Sequence, residues 1–230
     1  MIKLKDRKRV AADRRIDELL ETEAGQRAYW DELEEKGRRS SLIELLESTL
    51  HLDGDVIECG VFRGKSLMME CRSVMAHAPD KRVYACDSFE GFPQDAVGDE
   101  DVSWFRFKFK LRRKFTVAGD VPDRLERFFA AYGVSGHVVK GFFSDTLGRF
   151  ADQRFCFMHI DCDLYESHLD CLNMLYDRLV PGGVAVFDDY AQAKWPGATK
   201  AVDEFFAGRS EKPALLQSRE IQAWYVRKPL

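Results

Sequence analysis

The chain has 230 residues, of which 45% are hydrophobic and 32% are charged, and its formal net charge at pH 7 is -4. This balance is typical of one soluble globular domain, and a slightly acidic chain has no general attraction for nucleic acid or an anionic membrane. No apolar run approaches the roughly 20 residues of a membrane-spanning helix. The charged start is unlike a signal peptide, so we expect a cytoplasmic protein.

Residues 1–52 are predicted to form an N-terminal helical extension. The first forty residues carry dense charges of both signs with sparse apolar positions, and SLIELLESTL at 41–50 reads as a more apolar helix. A charge-rich helix usually presents a solvated face. The extension is also compatible with a homo-oligomer, in which its apolar positions would meet another subunit.

From residue 53 to residue 230, short apolar runs alternate with amphipathic segments. The runs are rich in Val, Ile, Phe and Cys, as buried parallel strands are. They are DVIEC, RVYACD, HVVKG, FCFMHID and GVAVFDD, followed by PALLQ and QAWYVRK as a final strand pair. The alternation predicts an α/β fold with a doubly wound, mostly parallel, seven-stranded sheet that binds ligands beyond the carboxyl ends of its strands.

Helices are predicted between these strands at 65–77, 122–132, 167–179 and 196–206. Ser167 and Asp170 form a capping box at the start of the third helix, and Pro181-Gly182-Gly183 is predicted to stop it.

The six cysteines include no CxxC pair and no Cys/His zinc spacing. Several lie in the strand-like runs, where cysteine behaves as a small hydrophobe. We therefore expect reduced, buried thiols.

A long connection at about residues 91–121 follows the second predicted strand. Strand-to-helix connections usually have about 2–6 residues, and longer insertions are often lids over active sites. Within it, residues 104–114 (WFRFKFKLRRK) alternate aromatic and basic side chains, which suits either a nucleic-acid groove or an amphipathic strand. Because the rest of the chain is acidic and has no RNA-binding motif, we favour a lid that contacts a substrate or partner.

The segment VIECGVFRGKS at 56–66 predicts a nucleotide-type site at the first strand-to-helix turn. Glu58 closes the apolar run, while Gly60 and Gly64 let the backbone approach a ligand and the following helix offers free N–H groups. The segment also resembles a Walker A loop, but it is one residue short and that alternative leaves Glu58 without a role. If the segment is not a Walker A loop, Lys65 and Ser66 are ordinary residues of the first turn of the following helix.

Acidic residues lie at the ends of four predicted strands, and a parallel sheet would bring them to one edge: Glu58, Asp87, Asp161, Asp188 and Asp189. Any one of them is as readily a turn residue or a helix cap. Asp87 is placed to bind the two hydroxyls of a ribose. Asp161, Asp188 and Asp189, with Asp163 close by, form either a magnesium site or a hydrogen-bonded acidic cluster without metal.

The segments ECGVFRGKS, CDSFEGFP, KGFFSDTL, HIDCDLYES and GGVAVFDDY together resemble the macrocin O-methyltransferase (TylF-like) family over about residues 53–207. The resemblance implies a class I, Rossmann-like methyltransferase fold, S-adenosylmethionine and Mg²⁺ as cofactors, and a small hydroxylated acceptor, above all a natural-product sugar. A more distant likeness to catechol methyltransferases leaves a phenol as an alternative acceptor. A non-catalytic S-adenosylmethionine-binding protein is a further alternative.

The resemblance also implies roles for individual residues. Asp161 is the expected catalytic base, with His159 and Asp163 as lesser candidates. The expected metal ligands are Asp161, Asp188 and Asp189. The expected cofactor-binding residues are Glu58, Gly60, Gly64 and Ser66 toward the methionine end, Asp87 and Ser88 at the ribose, and Phe143, Ser144 and Asp145 at the adenine.

The chain departs from the family pattern at two positions. His159 stands where an arginine is common, and Cys162 replaces the usual glycine of a DGD motif. A histidine at the end of a buried strand is most simply a satisfied structural residue. Tyr165 and Tyr190 are candidates for substrate contact or for packing.

Overall fold

A computed structural model of the chain describes residues 4–92, 98–101 and 120–230, with side chains from residue 11 onward. The strands are β1 (Asp55–Cys59), β2 (Val83–Asp87), β3 (Gly136–Lys140), β4 (Phe155–Ile160), β5 (Leu179–Phe187), β6 (Ala214–Leu216) and β7 (Ala223–Arg227). The helices are α1 (Leu4–Leu20), α2 (Glu23–Gly37), α3 (Ser41–Glu47), α4 (Lys65–His77), α5 (Val121–Tyr132), α6 (Phe143–Thr146), α7 (Tyr165–Leu175) and α8 (Pro196–Phe206). Most of the predicted lid, including residues 104–114, lies outside the described residues.

The sheet has seven strands in the order β3-β2-β1-β4-β5-β7-β6. The first five are parallel, and β7 runs antiparallel to both of its neighbours. This confirms the predicted doubly wound sheet and its final strand pair. Every residue of β1 and β4 is buried, which explains why both strands read as continuous apolar runs. Because β1, β2, β4 and β5 are parallel, the residues that follow them lie at one edge.

The structure confirms α4 and α8 at their predicted bounds and moves the start of α5 by one residue. The helix predicted at 167–179 is present as α7, but its predicted bounds and capping box were wrong. This helix begins at Tyr165 with no side-chain cap from its own preceding residue. Instead, the Asp101 carboxylate accepts a hydrogen bond of 2.7 Å from the Tyr165 N–H. A cap supplied from 64 residues away leaves no local signal in the sequence.

The glycine pair predicted to stop α7 lies inside β5 instead. The helix ends at Leu175, and the pairing of β4 with β5 shifts register between Phe155 and Phe157, so the Pro181-Gly182-Gly183 segment forms an irregularity in the strand.

Helices α1–α3 contribute to the hydrophobic core that covers one face of the sheet. Trp30 of α2 stacks on Tyr132 of α5 with ring centroids 4.1 Å apart. The Asp17 carboxylate accepts two hydrogen bonds of 3.0 Å from Arg124, which lower the pKa of Asp17. The helical character of the extension is therefore confirmed, while its division from the rest at residue 52 stays a prediction.

All six cysteines are buried free thiols, as predicted. Among the helices of the described residues, none combines the length and the apolar composition needed to cross a bilayer.

Candidate functional site

A cavity lies at the carboxyl edge of the sheet, between the loops that follow β1, β2, β3 and β4. Its lining comes from four loops and the first turns of α7: Gly60, Phe62, Asp87, Ser88, Gly91, Phe92, Gly141, Phe142, Phe143, Ser144, Asp161, Cys162, Asp163, Glu166, Ser167 and Asp170. Six of the predicted site residues are among them, and the cavity occupies the place where open α/β sheets bind their ligands.

Gly60 brings the loop after β1 against the loop after β4. Its φ is +95°, and a Cβ atom on it would lie 1.8 Å from the carbonyl oxygen of Asp161. Only glycine allows both this backbone conformation and this contact. The turn after β1 is thereby held against Asp161, the residue predicted to be the catalytic base.

Asp87 organises the other side of the cavity. Its two oxygens accept hydrogen bonds of 2.7 Å from the N–H groups of Phe62 and Phe89, and both phenylalanines have a positive φ. Burial raises the pKa of Asp87, and these backbone donors partly oppose that shift. Each carboxylate oxygen retains a further lone pair, so Asp87 can also accept a ligand hydroxyl.

Asp161, Asp188 and Asp189 form an acidic cluster next to the cavity. Each offers a carboxylate oxygen, and these three oxygens lie within 4.8 Å of one another. Burial, and then the charge of Asp188, raise the pKa of Asp161 well above its ordinary value, and burial raises that of Asp189 to about 6. Carboxylates held this closely repel each other, and a hard divalent cation such as Mg²⁺ would remove that repulsion. The donor set therefore fits a magnesium site.

The acidic cluster also contacts the loop after β4. The Asp163 N–H donates a hydrogen bond of 2.8 Å to Asp189 Oδ2, and Asp163 has a positive φ of 61°. Asp161 belongs both to the cluster and to the cavity lining, so it joins the two.

Other predicted residues lie away from the cavity. The Glu58 side chain is completely buried and accepts a hydrogen bond from Ser66. Gly64, with a φ of +78°, precedes α4, and Asp145 lies in α6, but neither lines the cavity. Cofactor contacts by Glu58, Gly64, Ser66 and Asp145 remain predictions.

The two tyrosines proposed as candidates for substrate contact have protein partners. The Tyr165 hydroxyl donates to Glu204 and that of Tyr190 donates to Asp203, at 2.6 and 2.7 Å. His159 is buried beside Glu58 and is not part of the cavity lining.

The residues that the sequence reasoning missed come mainly from α7 and the glycine turns. Ser167 and Asp170 line the cavity from one face of α7, and Phe62 lines it from the turn after β1. All three belong to segments that the sequence analysis had singled out as motifs. The three-residue spacing of Ser167 and Asp170 was interpreted as a cap, although the same spacing also places two side chains on one helix face.

We expect the metal-free protein to gain stability through Asp189 as the pH falls. The pKa of this carboxyl is about 6 in the folded protein against an ordinary value of 3.8, so only the folded state binds its proton between these values. The gain appears as the pH drops through about 6, is complete near 4, and is absent at pH 7.5. It amounts to at most about 3 kcal/mol.

Urea unfolding in EDTA from about pH 4 to about pH 8 measures this effect. Asp189→Asn should flatten the pH dependence relative to the parent, both directly and because the loss of its charge lowers the pKa of the neighbouring Asp161. Glu58, which lies outside this cluster and titrates in both proteins, cancels from the difference. Identical pH profiles for the two proteins would contradict the assigned environment of Asp189.

Residues 36–228 match the macrocin O-methyltransferase (TylF) family. The chain is 32% identical over 177 residues to mycinamicin III 3''-O-methyltransferase of Micromonospora griseorubida, a match covering 73% of this chain and 67% of that protein. It is 36% identical over 142 residues to the 8-demethyl-8-(2,3-dimethoxy-alpha-L-rhamnosyl)-tetracenomycin-C 4'-O-methyltransferase of Streptomyces olivaceus, covering 60% of this chain and 53% of that protein. The solved structure of the O-methyltransferase NovP superposes with a TM-score of 0.67 at 29% identity, covering 81% of this chain and 77% of that one.

Proposed function

The chain belongs to the macrocin O-methyltransferase (TylF) family, and we propose that it transfers a methyl group from S-adenosylmethionine to a hydroxyl of a small natural product with the help of Mg²⁺. The observation that carries this proposal is the position of Asp161, which lines the cavity and also belongs to the acidic cluster. A methyl donor in the cavity and an acceptor at the cluster would meet at this residue.

The proposed cofactor site is the cavity itself. S-adenosylmethionine supplies an electrophilic methyl group on a sulfonium. Gly60 would give it close access to the backbone, Asp87 and Ser88 would accept hydrogen bonds from its ribose hydroxyls, and Phe143 and Ser144 would face its adenine. Glu58 and Ser66 support this site without lining the cavity, because their hydrogen bond joins β1 to the first turn of α4.

The proposed metal ligands are Asp161, Asp188 and Asp189, whose oxygens form a hard donor set. When bound, Mg²⁺ would supply Lewis-acid activation and a template for the acceptor hydroxyl. Asp161 is the proposed general base. It lines the cavity and also belongs to the acidic cluster, so its carboxylate would lie within reach of an acceptor hydroxyl held there.

The proposed acceptor class rests on similarity to the relatives. Their names specify methylation at a 3'' and a 4' position, the latter in a protein whose substrate name includes a rhamnosyl group. We therefore propose a sugar hydroxyl ahead of a phenol. Incubation with methyl-labelled S-adenosylmethionine and matched panels of glycosylated and phenolic compounds distinguishes them, and label transferred only to phenols would contradict the sugar assignment.

Cofactor binding provides the direct test of the methyltransferase assignment. We expect calorimetry to detect S-adenosylmethionine binding to the parent and a loss of affinity of roughly 10- to 100-fold in Asp87→Asn. The amide would keep one acceptor for the loop N–H groups but remove a charged acceptor for ribose, which typically costs about 1.5–3 kcal/mol.

Asp80→Asn is the matched control, because Asp80 is an exposed aspartate in the turn before β2. It should bind the cofactor as the parent does. No binding to the parent at millimolar cofactor would refute the proposed function, whereas equal binding by parent and Asp87→Asn would refute only the role of Asp87.

A further inference from the structure

A second cluster of metal-ligating side chains lies inside the core, apart from the cavity. It consists of Glu58 on β1, Glu70 on α4 and His159 on β4, with 0%, 0% and 2% of their surface exposed. One ligand atom of each lies within 4.8 Å of the others. Glu58 and His159 are direct partners in the parallel register of β1 and β4, and Glu70 reaches them from α4.

The polar atoms of this cluster are poorly satisfied. His159 Nδ1 lies 2.9 Å from Glu70 Oε1 and 3.3 Å from Glu58 Oε1 but has hydrogen-bond geometry to neither. Among the described residues, Glu58 Oε2, both Glu70 oxygens and both His159 nitrogens have no hydrogen-bond partner. Such atoms are rare in native proteins and require an explanation, of which an ion or an ordered water between them is one. Here one ligand atom from each of the three side chains lies within 4.8 Å of the others.

The charges of the cluster are also unbalanced. No lysine or arginine of the described residues forms an ion pair with Glu58 or Glu70. With both glutamates ionised, even a protonated His159 would leave one negative charge uncompensated, which is strongly unfavourable in the core. A divalent ion with a neutral imidazole would balance the charge.

The distances fit such an ion. Ligand atoms about 2.1 Å from a metal are roughly 3.0 Å apart at right angles and roughly 3.4 Å apart in a tetrahedron. The two separations from His159 Nδ1, 2.9 and 3.3 Å, lie close to this range, which a direct ion pair also gives. An imidazole ligand favours Zn²⁺ or a similar first-row ion over Mg²⁺, which prefers oxygen ligands.

We propose that Glu58, Glu70 and His159 bind a divalent transition-metal ion, with Zn²⁺ as the preferred ion, at a structural site in the core. The second oxygens of the two glutamates complete its coordination. Ser66, which donates to Glu58, orients that ligand. The ion joins β1, β4 and α4, and the site does not depend on the proposed methyltransferase activity.

Zinc content of the full chain tests the site independently of activity. The double variant Asp188→Asn with Asp189→Asn removes ligands from the acidic cluster at the cavity and serves as the background. After zinc loading and gel filtration, we expect about one zinc ion per chain in this background. Adding His159→Arg, which keeps a positive charge between the glutamates but removes the nitrogen ligand, should lower the content at least tenfold.

His137→Gln is the control for surface binding, because His137 is exposed, and it should retain the zinc. Glu70→Gln is the second core variant, should His159→Arg fail to fold, and we expect it to weaken zinc binding at least tenfold. Cobalt substitution should give a visible spectrum that His159→Arg removes.

Three results would overturn the proposal. The first is the absence of stoichiometric zinc in the background protein, which would identify the cluster as a histidinium between two glutamates. The second is zinc retained after His159→Arg. The third is a sulfur-to-cobalt charge-transfer band, which would place the ion at the buried cysteines instead.

Discussion

Asp161→Asn is expected to lower the rate of methyl transfer by roughly 10²- to 10⁴-fold, the usual contribution of a positioned general base. The substitution keeps the shape of the side chain but removes its charge and its ability to take a proton. Asp161 follows β4 directly, and its N–H donates a hydrogen bond of 2.9 Å to the Cys59 carbonyl, so its backbone position should not change. Affinity for S-adenosylmethionine should stay within a few-fold of the parent.

Label transfer to the acceptor found in the panel gives the rate, and calorimetry gives the cofactor affinity. Asp170→Asn is the matched control, because Asp170 also lines the cavity but lies outside the acidic cluster. We expect this control to retain most of the activity. A parent-like rate for Asp161→Asn would refute both of its proposed roles, and an equal loss in both variants would show that cavity charge in general, and not Asp161, is required.

Gly60→Ala is expected to destabilise the folded protein by about 3 kcal/mol or more and to abolish cofactor binding. The added Cβ would lie 1.8 Å from the carbonyl oxygen of Asp161, so the loops after β1 and β4 must separate. The alanine must also adopt a φ of +95°. Overpacking and backbone strain each cost roughly 1–3 kcal/mol.

Gly133→Ala separates these two contributions. Gly133 has a φ of +66° at the end of α5, and a Cβ there would meet nothing within 4 Å. This control should lose only about 1 kcal/mol, the cost of the left-handed conformation alone. Urea unfolding of both variants measures the difference. Equal losses of stability in the two variants would mean that the loops after β1 and β4 separate at no cost and that the contact with Asp161 does not destabilise Gly60→Ala.

The order of strands and helices could be predicted from the sequence because both signals are local. Apolar runs such as FCFMHI mark buried strands, and periodic segments such as residues 65–77 mark helices. A parallel sheet then places the residue after each strand at one edge. That rule, applied to the sequence, is enough to bring Asp87, Asp161 and Asp188 to the same side of the molecule.

Contacts between distant segments could be decided only by the tertiary structure. The cap of α7 comes from Asp101, so the local capping box was misleading. His159, expected to be satisfied, instead meets Glu58 and Glu70 without hydrogen bonds, because α4 carries Glu70 onto the strand pair. Hydrophobic periodicity and turn residues depend only on interactions between residues close together in the sequence. Which buried side chains share a space depends on how whole elements pack, and the chain order does not record it.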